Sequence, residues 1–431
     1  ATKKRVTPEK MRGISVTELS KLTDMELDKM GRITNPLFLK EGEDTYEEID
    51  WGSAFKIIAS RISGSDDPDE NVFYTSGRAS NEAAFLWGVL ARQIGTNNLP
   101  DCSNMCHESS GVALSRSIGI GKGTVKLSCF EEADLILVIG QNPGTNHPRM
   151  LTALAACKEN GGSVVSINPL EETAMKRFKH PQNPLHLIGR GVQIADEHLP
   201  VRIGGDAALL QGFAKTMLSQ GGTDPDFISK NTLGFEDWKR HIESTDWETI
   251  VEQSGISRDR IEKTGTAIAK SERMIVCWAM GLTQHENSVA VIQEVSNLLL
   301  AGGHFGKPGA GACPVRGHSN VQGDRTVGIN HHPTEDFISS CENETGINMP
   351  RNKGDDVVEF IQAALQGRVR TFMALGGNLV SAMSDTERVA EAISKIDLTV
   401  QISTKLNRSH LITGREALIL PCLGRTERDP A

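Results

Sequence analysis

The stretch Asp134-Leu-Ile-Leu-Val-Ile-Gly140 narrows the folds open to this chain more than any other. A near-continuous apolar run of that length suits a strand buried on both faces, as in a parallel sheet covered by helices above and below. The next residues, Gln141-Asn-Pro-Gly-Thr-Asn-His-Pro148, form a polar, glycine-bearing turn. A helix is expected from Pro148, which suits the first helical position, to Asn160-Gly161-Gly162. A strand over Ser163–Ile167 follows, ending at Asn168-Pro169. This is a βαβ unit, and such units bind ligands in the loop at the strand's carboxyl end.

The same order recurs. Asn71–Thr75 is a short strand, Ser76–Glu82 a small-residue turn, and Asn81–Ile94 an apolar helix stopped by Gly95. Arg273–Trp278 is a strand leading through Ala279–His285 into an apolar helix that ends at Gly302. Thr371–Leu375 is followed by the turn Gly376-Gly-Asn378, a helix near Asp385–Ser394, and strands at Leu398–Ile402 and Glu416–Leu420. The expected class is α/β. Residues 1–44 are polar with two helix-like pieces, and 331–356 read as a surface excursion. Asp206 reads as the N-cap of the helix Ala207–Leu218.

Composition excludes some functions. A chain of 431 residues is long enough for two or three domains. Lys and Arg total 46 against 55 Asp and Glu, a net charge of −9, so no basic footprint for nucleic acid is present. No apolar run approaches the roughly 20 residues of a membrane helix. The first residues lack an initiator Met and an apolar signal core, and both ends read as cuts within a longer polypeptide. The eight cysteines form no C-x-x-C pair, which points to a reducing, cytoplasmic setting.

Three stretches carry chemistry. Asp101 to Gly119 sets a thiol beside an imidazole at Cys106-His107, a soft metal ligand next to a group that moves protons near neutral pH. A buried thiol beside a core histidine is the alternative. Arg78, in the turn before a helix N-terminus, is a candidate anion contact or a surface arginine. Gly306 to Asp324 is the most glycine-rich segment, suited to holding backbone close to a ligand, and it bears Arg316, His318, Asn320, Gln322 and Asp324.

In their order, from about Tyr46 to Thr426, these motifs resemble the molybdopterin (bis-MGD) oxidoreductases, in particular the formate-dehydrogenase-like branch. The resemblance implies two doubly wound, mostly parallel-sheet domains, one of them discontinuous. The expected division is 1–44 as an N-terminal segment, 45–101 with 319–431 as one MGD-binding domain, and 102–318 as the other. It implies molybdenum or tungsten on bis-molybdopterin guanine dinucleotide, with Cys106 as metal ligand, His107 as catalytic histidine and Arg316 orienting a small carboxylate. By the same resemblance Gly140, Asn142, Pro143 and His147 receive a pyrophosphate. Asn168, Gly205 and Asp206 stand at guanosine-reading positions. Arg78, Met280, Gly281, Gln284, His318, Gln322, Gly377, Asn378 and Thr404 line the cofactor.

Two departures follow. No four-cysteine motif precedes Tyr46, so a [4Fe–4S] cluster has a place only in flanking sequence. The tail His107-Glu-Ser-Ser110 is similar to an acid-resistance-associated branch. The implied reaction is formate oxidation to carbon dioxide or its reverse, with a small anionic substrate and an electron-transfer partner subunit. The alternatives are an MGD-binding stress protein without formate activity and a reductase of oxyanions, N-oxides or S-oxides.

Overall fold

The apolar runs become parallel strands. The computed structural model describes residues 3–182, 184, 188–189, 191–424 and 427–428. The outermost ends of the expected domains, and Thr426 where the resemblance stops, lie outside the described residues. In chain order the strands among the described residues are β1 (Arg5–Val6), β2 (Arg32–Ile33), β3 (Leu37–Leu39), β4 (Glu47–Glu48), β5 (Asn71–Thr75), β6 (Leu135–Ile139), β7 (Ser163–Ile167), β8 (Glu197–Leu199), β9 (Met274–Trp278), β10 (Gly311–Pro314), β11 (Thr371–Leu375), β12 (Leu398–Ser403) and β13 (Glu416–Pro421). The chain divides into two units: residues 1–105 with 318–431, and residues 106–317.

The 106–317 unit is built on a five-stranded sheet of order β10-β9-β6-β7-β8, parallel throughout. Alternation along β6 explains its composition. Leu135, Leu137 and Ile139 pack with Phe213, Met217, Ile292 and Val295 on one face, while Ile136 and Val138 pack with Leu154, Cys157 and Cys277 on the other. Both faces are covered, so every position in the strand is apolar. The chain winds outward from β6 in two directions, through β7 and β8 on one side and β9 and β10 on the other. That reversal places a crevice at the carboxyl ends of β6 and β9.

The other unit carries a six-stranded sheet of order β4-β3-β13-β12-β11-β5, parallel from β13 to β5, with β3 and β4 antiparallel at the far edge. Past β5 the segment around Asn98–Cys102 runs alongside. Phe73 N–H donates to Asn98 O at 2.9 Å, Thr75 N–H to Pro100 O at 3.1 Å and Cys102 N–H to Thr75 O at 3.3 Å. β5 is therefore flanked on both sides, and the winding direction reverses there too. Val72 and Tyr74 enter one core with Phe360 and Phe372, while Phe73 enters the other with Trp87 and Met373. Phe360 and Phe372 stack with ring centroids 4.9 Å apart.

Four local expectations change. The glycine-rich segment, expected to hold backbone close to a ligand, also contains a strand: Gly311–Pro314 forms β10, because Ala310 and Ala312 are small enough to be buried. The excursion at 331–356 contains the helix Glu335–Thr345, capped by Thr334, whose Ile338 and Cys341 bury with Met349 in a small cluster beside Phe85 and Val89. Its apolar residues are too sparse for an obvious stripe. β8 was not expected, since only Leu199 of its three residues is fully buried. The helix beginning at Asp206 has Gly205 as its N-cap, so Asp206 is the first helical residue and caps nothing with its side chain.

Candidate active site at the carboxyl ends of the strands

Cys106 and His107 lie where a short helical turn, Ser103–Cys106, gives way to the helix Glu108–Ile118, with His107 in the non-helical junction (φ −136°). Cys106 is half-buried, and its Sγ lies 3.5 Å from Met280 Sδ. The Gln284 amide donates to Cys106 O at 3.4 Å. Met280 opens the short helix Met280–Thr283 that follows β9, and Gln284 is the residue just past its end.

His107 is buried and its hydrogen bonds fix its ring. Val315 O, which can only accept, is 3.2 Å from Nε2, so Nε2 carries the proton. Ser110 Oγ lies 2.9 Å from Nδ1 and receives the Trp278 indole N–H at 2.9 Å. A single direction satisfies the whole chain: Trp278 donates to Ser110, Ser110 to His107, and His107 to Val315. Burial first, and the Arg316 charge second, push His107 down to about 4, so the imidazole is neutral at pH 7.

Arg316 follows β10 by two residues and donates from Nη2 to Gly121 O at 3.2 Å. Its own carbonyl accepts from His147 Nε2 at 3.1 Å, and Gln141 donates to His147 Nδ1 at 3.3 Å. Lys122 stands close enough to Arg316 that burial and this second cation lower its pKa. A cavity of about 480 Å³ opens beside these groups, lined by Phe130, His147, Met150, Val315 and Arg316 among others. Cys106-His107 and Arg316, far apart in sequence, are thus neighbours in one unit.

Gly140, at φ +58°, and Gly281 cross at the ends of β6 and β9. A Cβ on Gly140 would lie 2.7 Å from Gly281 Cα. Asn142 caps the turn Pro143–Asn146, accepting from Thr145 N–H at 3.2 Å, and donates to Glu172 at 2.6 Å. Asn168, after β7, donates to the same carboxylate at 3.2 Å. Glu172 thereby ties together two of the expected residues. Nothing in the sequence singled it out, because it sits in a plain acidic pair. Asp206 is buried, and burial pushes its carboxyl up to about 6 against a lowering by His285.

In the other unit, Arg78 stands in the turn after β5, close to His318, whose pKa is lowered by burial and then by the Arg78 charge. Gly77 N–H donates to Cys102 Sγ at 3.0 Å, and His318 Nδ1 lies 2.8 Å from the same sulfur. Asn320 holds this turn through its N–H to Gly77 O and its side chain to Ala79 O, each at 2.8 Å. Gln322 lies on the short helix Val321–Thr326 that follows. Gly377 follows β11 at φ +90°, and Asn378 Oδ1 accepts from Ser409 Oγ at 3.1 Å. Thr404 follows β12. Arg78, Gly377, Asn378 and Thr404 all fall just beyond the carboxyl ends of parallel strands. In the first unit Gly140, Asn142, Asn168, Met280, Gly281 and Arg316 do the same.

The family described as molybdopterin oxidoreductase matches residues 32–412. The chain belongs to the molybdopterin oxidoreductase family. Membership implies a molybdenum or tungsten pterin cofactor. Among relatives, an uncharacterized oxidoreductase of Mycobacterium tuberculosis is 49% identical over all of this chain and 56% of its own length. Protein YdeP of Escherichia coli K12 is 45% identical over 94% of this chain and 55% of its own. The chain thus spans about half the length of the curated relatives it matches. Acetylene hydratase from Pelobacter acetylenicus shares the fold, with a TM-score of 0.68 at 18% identity over 94% of this chain and 57% of that one. Among the described residues no helix is long and apolar enough to cross a membrane.

Proposed function

We propose that the chain carries the metal-centre region of a molybdenum- or tungsten-dependent oxidoreductase that oxidises formate. The cofactor is bis-molybdopterin guanine dinucleotide, with Cys106 Sγ as the protein ligand. The observation that carries this reading is the meeting, around one neutral histidine, of a half-buried thiol and a guanidinium. A thiolate is a soft ligand suited to such a metal. A guanidinium is a planar fork suited to a carboxylate.

The residues fit the dinucleotide. Gly140 and Gly281 bring the turns after β6 and β9 into direct backbone contact, which shapes the crevice at the strand ends where a pyrophosphate would lie. The buried carboxyl of Asp206 suits the N–H edge of a purine. Two buried hydroxyls at strand ends, Thr75 Oγ1 and Ser403 Oγ, have no hydrogen-bond partner among the described residues and would gain one from a polar ligand. On this reading each unit takes one guanosine end, and the residues named above line it.

The metal, when bound, supplies a centre that accepts two electrons. Formate leaves as carbon dioxide, releasing one proton and two electrons, and the electrons pass to a partner subunit or cluster. Arg316 holds the carboxylate, and His107 keeps the loop bearing Arg316 in place. A second reading draws on Lys122: a pair of neighbouring cations suits a polyatomic oxyanion, which the same centre would reduce. Binding of the cofactor without formate turnover is the third outcome. Molybdenum and tungsten analysis of the full-length protein, followed by formate- and oxyanion-dependent dye assays on that sample, separates the three.

A further inference from the structure

Val315 and Arg316 are consecutive residues, and each presents its carbonyl to an imidazole. His107 Nε2 meets Val315 O at 3.2 Å and His147 Nε2 meets Arg316 O at 3.1 Å. Carbonyl oxygens only accept, so both histidines must donate from Nε2. Each ring is held from its other side by a group that can donate to Nδ1: Ser110 Oγ at 2.9 Å, itself held by Trp278, and the Gln141 amide at 3.3 Å. His147 is anchored further, since the Gln141 amide also reaches Met150 Sδ at 3.1 Å. The two rings come from different elements, His107 from the start of one helix and His147 from the turn after β6.

We propose that His147 and His107 form a two-point clamp on the Val315–Arg316 backbone that aims the Arg316 guanidinium, His147 acting as a positioning residue for the anion rather than as a contact to the cofactor. The proposal deepens the formate reading and rests on it for the identity of the anion. A guanidinium at the end of a flexible stem discriminates anions only if its backbone origin is fixed. Pairing with β9 fixes the segment only as far as Val315, whose N–H donates to Trp278 O at 2.8 Å. Arg316 lies beyond the last strand residue and is followed by Gly317, so the clamp holds the chain where the strand's own pairing ends. Both imidazoles spend their donor on the clamp. The Nε2–H of His147 is then taken by Arg316 O rather than offered to a phosphate.

The test compares His147→Phe, which keeps a ring and removes the donor, with His147→Gln, which keeps a donor, in the metal-loaded full-length protein. Formate KM and kcat are measured, and azide affinity is read by calorimetry as a probe independent of turnover. With Phe, KM and the azide dissociation constant are expected to rise together by about tenfold, the worth of one hydrogen bond near a charge, KM changing more than kcat. Metal content is expected to stay at the wild-type level, and Gln is expected to recover most of the affinity. Falling metal content with unchanged KM and azide affinity overturns the clamp and returns His147 to the cofactor. So does failure of Gln to restore what Phe removes, or no azide binding by the wild type. If the wild type binds azide but does not turn over formate, the formate reading fails, and the azide series alone decides the clamp.

Discussion

Gly140 and Gly281 pass backbone to backbone at the ends of neighbouring strands, with Gly281 N–H donating to Gly140 O at 3.0 Å. Neither has room for a Cβ, since one on Gly281 would lie 2.4 Å from Gly140 Cα. Ala at position 281 is expected to separate the two turns, destabilise the protein by about 1–3 kcal/mol, and lower metal and pterin content. Urea unfolding together with elemental analysis checks this. Unchanged stability with full metal content would mean that the turns yield freely and that their closeness does not shape the cofactor site.

Much of this was legible in the sequence. The strand Leu135–Ile139 announced itself because burial on both faces leaves no room for alternation, and the turns after it followed from their glycines. Arg78, Gly140, Asn142, Asn168, Met280, Gly281, Arg316, Gly377, Asn378 and Thr404 could be placed at strand ends because strand, turn and helix recur in order. What stayed hidden depends on partners far away in the chain. Glu172 matters through Asn142 and Asn168, and Ser110 matters through Trp278 and His107. β10 was obscured because its glycine and alanine content reads as loop, although pairing with β9 and burial decide the outcome. Asp206 was misplaced by a single position, because a glycine can supply the cap geometry without a side chain.

Ser110 links Trp278 and His107, and removing its hydroxyl strands two buried groups at once. Ser110→Ala is expected to cost about 2 kcal/mol or more of stability, because each buried group left unpaired costs about 1–3 kcal/mol. Trp278→Phe in the same background should add much less than it does alone. A double-mutant cycle by denaturant unfolding measures this, and strict additivity would mean the three groups do not act as a chain.

Acid should weaken the protein. Burial pushes His107, His304 and His410 from 6.5 down to about 4, so each folds as the neutral form. The unfolded chain binds more protons between those values, and stability from these groups is present in full above about 6.5 and lost as the pH falls toward 4. Asp206 works the other way. Its carboxyl, raised from 3.8 to about 6, favours the folded state at low pH and loses that contribution as the pH rises through 6. Three histidines outweigh one carboxyl, so the urea midpoint is expected to rise from pH 4.5 to 7, and more steeply in Asp206→Asn. A flat profile would mean that these histidines are not held neutral.

Arg316→Lys keeps the charge and loses the fork. Formate KM is expected to rise by about tenfold or more, with metal content unchanged, because a bidentate contact is not reproduced by an ammonium. Steady-state kinetics beside metal analysis reads this directly. An unchanged KM would place the anion elsewhere in the unit.

The central claim is that Cys106 holds molybdenum or tungsten. The most direct measurement is the molybdenum and tungsten content of full-length protein made with an intact cofactor pathway, with formate-dependent dye reduction on the same sample, for the wild type and Cys106→Ala. The account predicts metal in proportion to protein and turnover in the wild type, and no turnover in a folded Cys106→Ala variant. Absence of both metals from the wild type, or turnover retained in the variant, would contradict it and leave Cys106 as a half-buried thiol beside a structural histidine.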